Sequence, residues 1–227
     1  MKKFILSLMI VGVVLACAFN TDAAEIIFDY NYAYTGTAPS GNAPWLEVTL
    51  ENQAFNLVRM TLGAINLSQG EFVTQWYFNL DPGLDPSKLI FTYYDMGGPS
   101  AVIYKSVQDA YKAPGDGKFD ILFEFPTAES GGNRFDGNDT TLYQITYRDT
   151  NNPQANITMK SFNFYSTTAT GDGKSLLSAA HIQGIATGAG SGHVSPGEGI
   201  SPVPEPGTML LLGLGLIGIA LVMREMM

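Results

Sequence analysis

Between Glu25 and Ile185 apolar and polar side chains alternate with a period of two, and this restricts what the chain can fold into more than any other feature. Leu46, Val48 and Leu50 alternate with Glu47, Thr49 and Glu51. Phe119, Ile121, Phe123 and Phe125 alternate with Asp120, Leu122 and Glu124, and Tyr143, Ile145 and Tyr147 with Gln144, Thr146 and Arg148. Successive residues of an extended chain face opposite ways, so each run reads as a half-buried strand. Strand-like runs also cover 26–34, 57–62, 72–80, 89–94, 101–105, 157–165 and 181–185. Clusters of Gly, Pro, Asn and Asp separate them, as at 39–42, 81–86, 97–100, 114–117, 131–138, 151–153 and 171–173. One or two helical turns are expected near Ser106–Lys112, and no long segment has helical periodicity. The pattern predicts an all-β domain over 25–185, an antiparallel β-sandwich of jelly-roll-like or immunoglobulin-like type. Phe72, Thr74, Trp76, Phe78 and Leu80 are expected on one face of a central strand, with Val73, Gln75, Tyr77 and Asn79 on the other.

The two ends are of different composition. Residues 1–24 combine Lys2 and Lys3 with an apolar run and a small residue at Ala24, which predicts a helical secretory signal peptide cleaved after Ala24. Cys17 opens a rival reading, lipoprotein processing, which the bulky Leu15 fits badly. Without its signal the chain has no cysteine, and core packing has to stabilise the domain unaided by disulfides. Residues 186–202 are mostly Gly, Ser, Ala and Pro and read as a flexible stalk. From Gly207 to Met223 there are 17 uncharged residues, which predict a transmembrane helix. Such a helix spans roughly 25 Å, slightly short of a bilayer core. Pro202, Pro204 and Pro206 keep it separate from what precedes.

Val203, Pro204, Glu205, Pro206 and Gly207, an apolar helix and the basic Arg224 follow one another within residues 203–227. In that order they resemble a PEP-CTERM sorting signal, the mark of proteins exported by exopolysaccharide-producing Gram-negative bacteria. The resemblance implies that Pro204, Glu205 and Pro206 are read by an exosortase, a membrane-embedded cysteine protease, and that the helix is a transient membrane segment stopped by Arg224. It implies a path through the inner membrane to the cell surface or extracellular matrix. The family usually ends in several arginines, whereas Glu225 follows Arg224 here. The alternative is an uncut C-terminal anchor, which the helix alone would satisfy. The runs WYFNLDPGLDP, GKFDILFEFP and AAHIQGI are similar to a group of secreted PEP-CTERM proteins, a likeness that implies common ancestry and transfers no chemistry.

Three basic and two acidic residues lie in the terminal segments, so residues 25–206 keep 9 basic and 19 acidic groups, a net charge of −10. Such a surface repels phosphate backbones, and nucleic acid is excluded as a partner.

Candidates for chemistry are few. Glu47 with Glu51 and Asp120 with Glu124 are spaced like carboxylate pairs, but alternation puts each pair on a solvent-facing side, where polar residues belong anyway. His181 lies on a strand-like run and His193 in the expected stalk, and there is no G-x-S-x-G motif. An enzyme is therefore not expected. Asp136, Asn138 and Asp139 crowd one loop, Asp81 and Asp85 another, and Asp116 and Asp172 sit in Gly-Asp-Gly turns, so calcium is the one metal considered. Asp and Asn are also ordinary turn residues. The expected role is structural or adhesive within an extracellular polysaccharide matrix. A carbohydrate-binding module, calcium-dependent in one version, is the alternative, and it needs exposed aromatics where Trp45 and Trp76 are expected in the core.

Overall fold

The computed structural model describes residues 25–114, 116–128, 134–167, 175–188 and 190–197. Thirteen strands lie among them: β1 Glu25–Gly36, β2 Leu46–Ala54, β3 Leu57–Gly63, β4 Phe72–Phe78, β5 Leu89–Asp95, β6 Val102–Tyr104, β7 Tyr111–Ala113, β8 Asp116–Phe119, β9 Ile121–Glu124, β10 Phe135–Asp136, β11 Thr140–Tyr147, β12 Ser178–Gly184 and β13 Gly190–Pro196. Alternation sets their burial. On β11, Thr141, Tyr143, Ile145 and Tyr147 are buried, while the residues between them are half-exposed. β2 buries Leu46, Val48 and Leu50 in the same way.

Eleven strands pair antiparallel in the order β5-β11-β3-β2-β1-β13-β12-β4-β9-β6, with β10 beside β4. β1 pairs with β2 through its first half and with β13 through its second, with register shifts after Tyr30 and Ala33. Such shifts bend a strand and increase its twist. The sheet curls so far that Phe91 on β5 meets Phe123 on β9 at 5.5 Å, although these strands stand near opposite ends of the order. Phe123 also packs edge-on against Tyr143 of β11 at 5.2 Å. The all-β antiparallel class is thus as expected. Eleven of the strands make one continuous curled sheet, joined through β1, and β7 and β8 form a separate two-stranded sheet.

The core lies inside the curl around Trp76, whose ring contacts Tyr30, Phe78 and Phe135. Face assignment on β4 departs from simple alternation. Val73 pairs with Ile182 and Gln75 with His181, so Thr74 is an extra residue in the ladder. This bulge moves Val73 to the inner face with Trp76, as its pairing with the core residue Phe135 shows, and leaves Thr74 beside His181. Tyr77, on the outer face, is buried because Phe119 of the β7–β8 hairpin covers it at 5.5 Å, together with Ala113, Leu176 and Ala179.

Three expectations are corrected. Residues 190–196, expected in a flexible stalk, form β13 between β1 and β12. Gly and Ser disfavour a strand in isolation, yet here neighbours on both sides complete the ladder and small residues admit close approach. A Cβ on Gly192 would lie 2.1 Å from the Thr37 carbonyl oxygen. Residues 157–165, expected as a strand, carry a 3-10 turn at Met159–Phe162, closed by reciprocal Thr158 and Ser161 bonds. Near Ser106–Lys112 the helical turns give way to a tight turn with Asp109 at φ 58, followed by β7. Among the described residues no helix is long and apolar enough to cross a membrane. The expected signal helix 1–24 and transmembrane helix 207–223 lie outside the described residues.

Asn56 ties this framework together. It sits at φ 57 between β2 and β3, and its side chain donates to the Tyr147 carbonyl at 2.8 Å. It also accepts from the Tyr147 and Ile157 amides at 3.2 and 3.1 Å. Asn56→Ala is expected to cost about 3 kcal/mol, from three lost bonds and a strained left-handed Ala, and Asn56→Gly about 2 kcal/mol. Urea unfolding midpoints of the two variants check this, and equal midpoints for Ala and wild type would reject it.

Candidate functional site

On the outer face, β13 places His193 and Ser195 two residues apart, and therefore on the same side of the sheet. His193 pairs in register with His181 of β12, and the two imidazoles stack at 4.4 Å with 18° between their planes. The bulge described above brings the Thr74 hydroxyl within 2.8 Å of His181 Nδ1. Tyr34 of β1 lies against His193 at 5.9 Å. Burial, with a contribution from His181, pushes the His193 pKa down to about 4, and burial also lowers that of His181. Both rings are neutral at pH 7.

Acid should therefore loosen the domain. An unfolded histidine takes up its proton near the ordinary value of 6.5, the folded His193 only near 4. Between those values the unfolded chain binds more protons, so stability falls as pH falls. The loss from His193 is about 2 kcal/mol on going from pH 7 to pH 5. Burial raises the carboxyls of Asp120 and Asp139, which act in the opposite direction, so a comparison with His193→Gln isolates the effect. The variant should show a flatter dependence of urea midpoint on pH, and an unchanged slope would refute the assignment.

Two polar atoms on this face are buried and have no partner among the described residues, His193 Nε2 and Ser195 Oγ. A buried polar atom left unpaired costs about 1–3 kcal/mol, so such a position calls for a physical reason. Ser195 borders a small cleft of about 30 Å³, lined also by Tyr32, Tyr165, Leu176, Leu177 and Pro196, with its Oγ closed off from solvent. Tyr32 pairs in register with Ser195. Tyr32 and Tyr165 are 40% and 56% exposed, whereas Ser195 is fully buried.

The side chains singled out from the sequence serve the framework. Glu51 accepts two bonds from Arg59, at 2.6 and 2.7 Å, and Glu47 accepts from Thr49 at 3.4 Å. Asp120, expected at the surface, is buried, because the 106–110 loop covers it. Its two oxygens each accept a backbone N–H at 2.7 Å, from Leu80 and Asp109, and burial raises its carboxyl. Glu124 accepts from Gln75 at 3.1 Å. Asp136, Asn138 and Asp139 form a tight turn, in which Asp139 accepts the Asp136 amide at 3.0 Å and Asn138 sits at φ 72. Asp81 and Asp85 bond the amides of Gly83 and Ser87. Among the described residues no three His, Cys, Asp or Glu side chains converge as a metal site would require. Asp172 lies outside the described residues, as do Ala24, Val203, Pro204, Glu205, Pro206, Gly207 and Arg224. Trp45 and Trp76 are buried in the core. Sequence reasoning missed Tyr32, Tyr165 and Ser195, since two are ordinary strand or loop tyrosines and the third fell in the expected stalk.

Residues 202–224 match the family model of the PEP-CTERM protein-sorting motif. The chain is a PEP-CTERM protein. It is thus an exosortase substrate, exported through a membrane-associated exosortase pathway, and the matched residues include the Pro-Glu-Pro element and end at Arg224. The match covers only the sorting signal of this PEP-CTERM protein and assigns no chemistry to the β domain. No curated protein and no solved structure matches the chain.

Proposed function

We propose that, once exported, the β domain is a non-catalytic structural or adhesive component of an extracellular polysaccharide matrix, reached through an inner-membrane intermediate. The observation that carries this reading is the division of labour among polar side chains. Glu51, Asp120, Asp139 and His181 are each engaged in bonds that hold strands and loops, while exposed tyrosines frame an open cleft. A catalytic carboxylate or imidazole has to be free to exchange a proton with substrate. An adhesive surface needs only rigid, partly exposed contact groups.

The test is to fractionate the producing cells into membrane, washed matrix and medium, and to take the intact mass of the protein in each. The expected product is in the washed matrix and lacks both Met1–Ala24 and the residues beyond Pro206. Replacing Pro204, Glu205 and Pro206 by Ala should hold the protein in the membrane fraction with Arg224–Met227 attached. Loss of the wild-type protein at the first wash, or release of reducing ends from the isolated polysaccharide by the purified protein, would overturn the reading.

A further inference from the structure

We propose that β5 pairs edge to edge with β5 of a second copy of this chain, joining two domains into one antiparallel sheet about a two-fold axis at Thr92. The pairing goes beyond the matrix role and stands whether or not that role holds. β5 ends the strand order, and among the described residues it is paired along one side only, by β11. The Arg148 amide donates to the Lys88 carbonyl, so these two form a hydrogen-bonded pair, and every second residue onward from Lys88 also turns its N–H and C=O toward β11. The main-chain groups of Leu89, Phe91, Tyr93 and Asp95 therefore point the other way, along the open edge, where the Leu89 amide is taken up by the Pro86 carbonyl.

Edges of this kind are normally blunted by proline, a bulge, a charge or shortness. β6, the edge at the other end of the order, has three residues. β5 has seven, with an unbroken register against β11 and neither proline nor charge before Asp95. Its outward side chains Ile90 and Tyr94 are 41% and 44% exposed. Full overlap of two antiparallel copies fixes the register. Phe91 then exchanges main-chain bonds with Tyr93 of the second copy, Ile90 stands opposite Tyr94, and Thr92 stands opposite Thr92. An aromatic opposite a β-branched side chain is a favourable cross-strand pair, and Tyr94 is already fixed on the outer face by donating to Gln144 at 3.0 Å. Charge follows the same register. The Lys105 ammonium donates to the Ser87 carbonyl at 3.0 Å, which gathers Lys88 and Lys105 at one end of the strand, against Asp85, while Asp95 lies at the other end. An antiparallel partner brings the basic end of each copy to the acidic end of the other, which identifies a second copy as the occupant. A seven-residue pairing covers less than a standard interface, so the dimer is weak.

The experiment is sedimentation equilibrium of the full chain in density-matched mild detergent. Wild type should pass from monomer to dimer as concentration rises. Thr92→Lys sets two like charges opposite each other at the axis and should weaken the dimer at least about tenfold. Thr92→Glu should do the same, and an equimolar mixture of the two variants should regain the dimer. Thr92 is exposed, so thermal melts of both variants should match wild type. In a Cys17→Ser background, Thr92→Cys should cross-link to a dimer under mild oxidation, whereas Val102→Cys on the β6 edge, a position 59% exposed, should stay monomeric. A monomer at every concentration, a dimer unchanged by Thr92→Lys, as association through residues 207–223 would give, or cross-linking at Val102 in preference to Thr92 would overturn the proposal. A different polypeptide held at β5 in place of the second copy would overturn it too.

Discussion

Deletion of residues 190–196 should abolish cooperative folding. These residues are β13, which has a hydrogen-bonded neighbour on each side, β1 through Tyr30–Gly36 and β12 through Ala180–Gln183. Removing them strips both ladders at once, turns two interior strands into edges and exposes Trp76's side of the core to water. It also removes the buried residues His193, Val194 and Ser195. The lost pairing and burial rival the entire 5–15 kcal/mol by which a domain of this size is typically stable. Calorimetry and near-ultraviolet circular dichroism decide the matter. Wild type should show one sharp transition and a structured tryptophan signal, and the deletion neither. If the deletion variant melts within a few degrees of wild type, β13 is an accessory strand and the fold described here is wrong at its centre.

The second large effect is expected at Trp76. Its ring is fully buried and touches Tyr30 at 5.2 Å, Phe135 at 5.9 Å and Phe78 at 6.3 Å. Its Nε1 donates to the Tyr30 hydroxyl at 2.5 Å, and that hydroxyl also bonds Ser178, whose Oγ donates to the Tyr77 carbonyl at 2.5 Å. Trp76→Ala should therefore cost about 3–5 kcal/mol, through lost contacts and the cavity left behind. Burial raises the Tyr30 hydroxyl far above its ordinary pKa, which keeps it protonated and able to donate. Tyr30→Phe keeps the ring but leaves the indole N–H and the Ser178 hydroxyl short of a partner, at about 1–3 kcal/mol. In a double-mutant cycle the two changes should be strongly non-additive, since they share one hydrogen bond. Urea midpoints supply the numbers. A Trp76→Ala cost below 1 kcal/mol would mean that the core collapses around the gap and that the aromatic cluster does not organise the curl.

How far each feature was legible depends on whether its cause is local. β2, β9 and β11 were readable because a half-buried strand writes its burial directly as alternation, and Leu46, Val48, Leu50, Tyr143 and Ile145 all point inward as the pattern required. Turns at Asp81, Asp85 and Asp139 were readable because their carboxylates bond amides two or three residues away. The bulge at Thr74 was not, since it is a mismatch between two strands more than a hundred residues apart and neither strand records it alone. Asp120 looked exposed by alternation and became buried only because the chain around Asp109 folds over it.

The all-antiparallel β class follows from the period of two, and the sorting route from a motif read as linear residues from Pro202 to Arg224. Both are written in near neighbours along the chain. That Gly190–Pro196 is a central strand, that the eleven-stranded sheet curls on itself, and that Tyr32, Tyr165 and Ser195 border one cleft emerges only from long-range packing. Each of these depends on partners far apart in sequence. A Gly- and Ser-rich segment has almost no preference of its own, so whether it hangs free or completes a sheet is settled by the edges it meets.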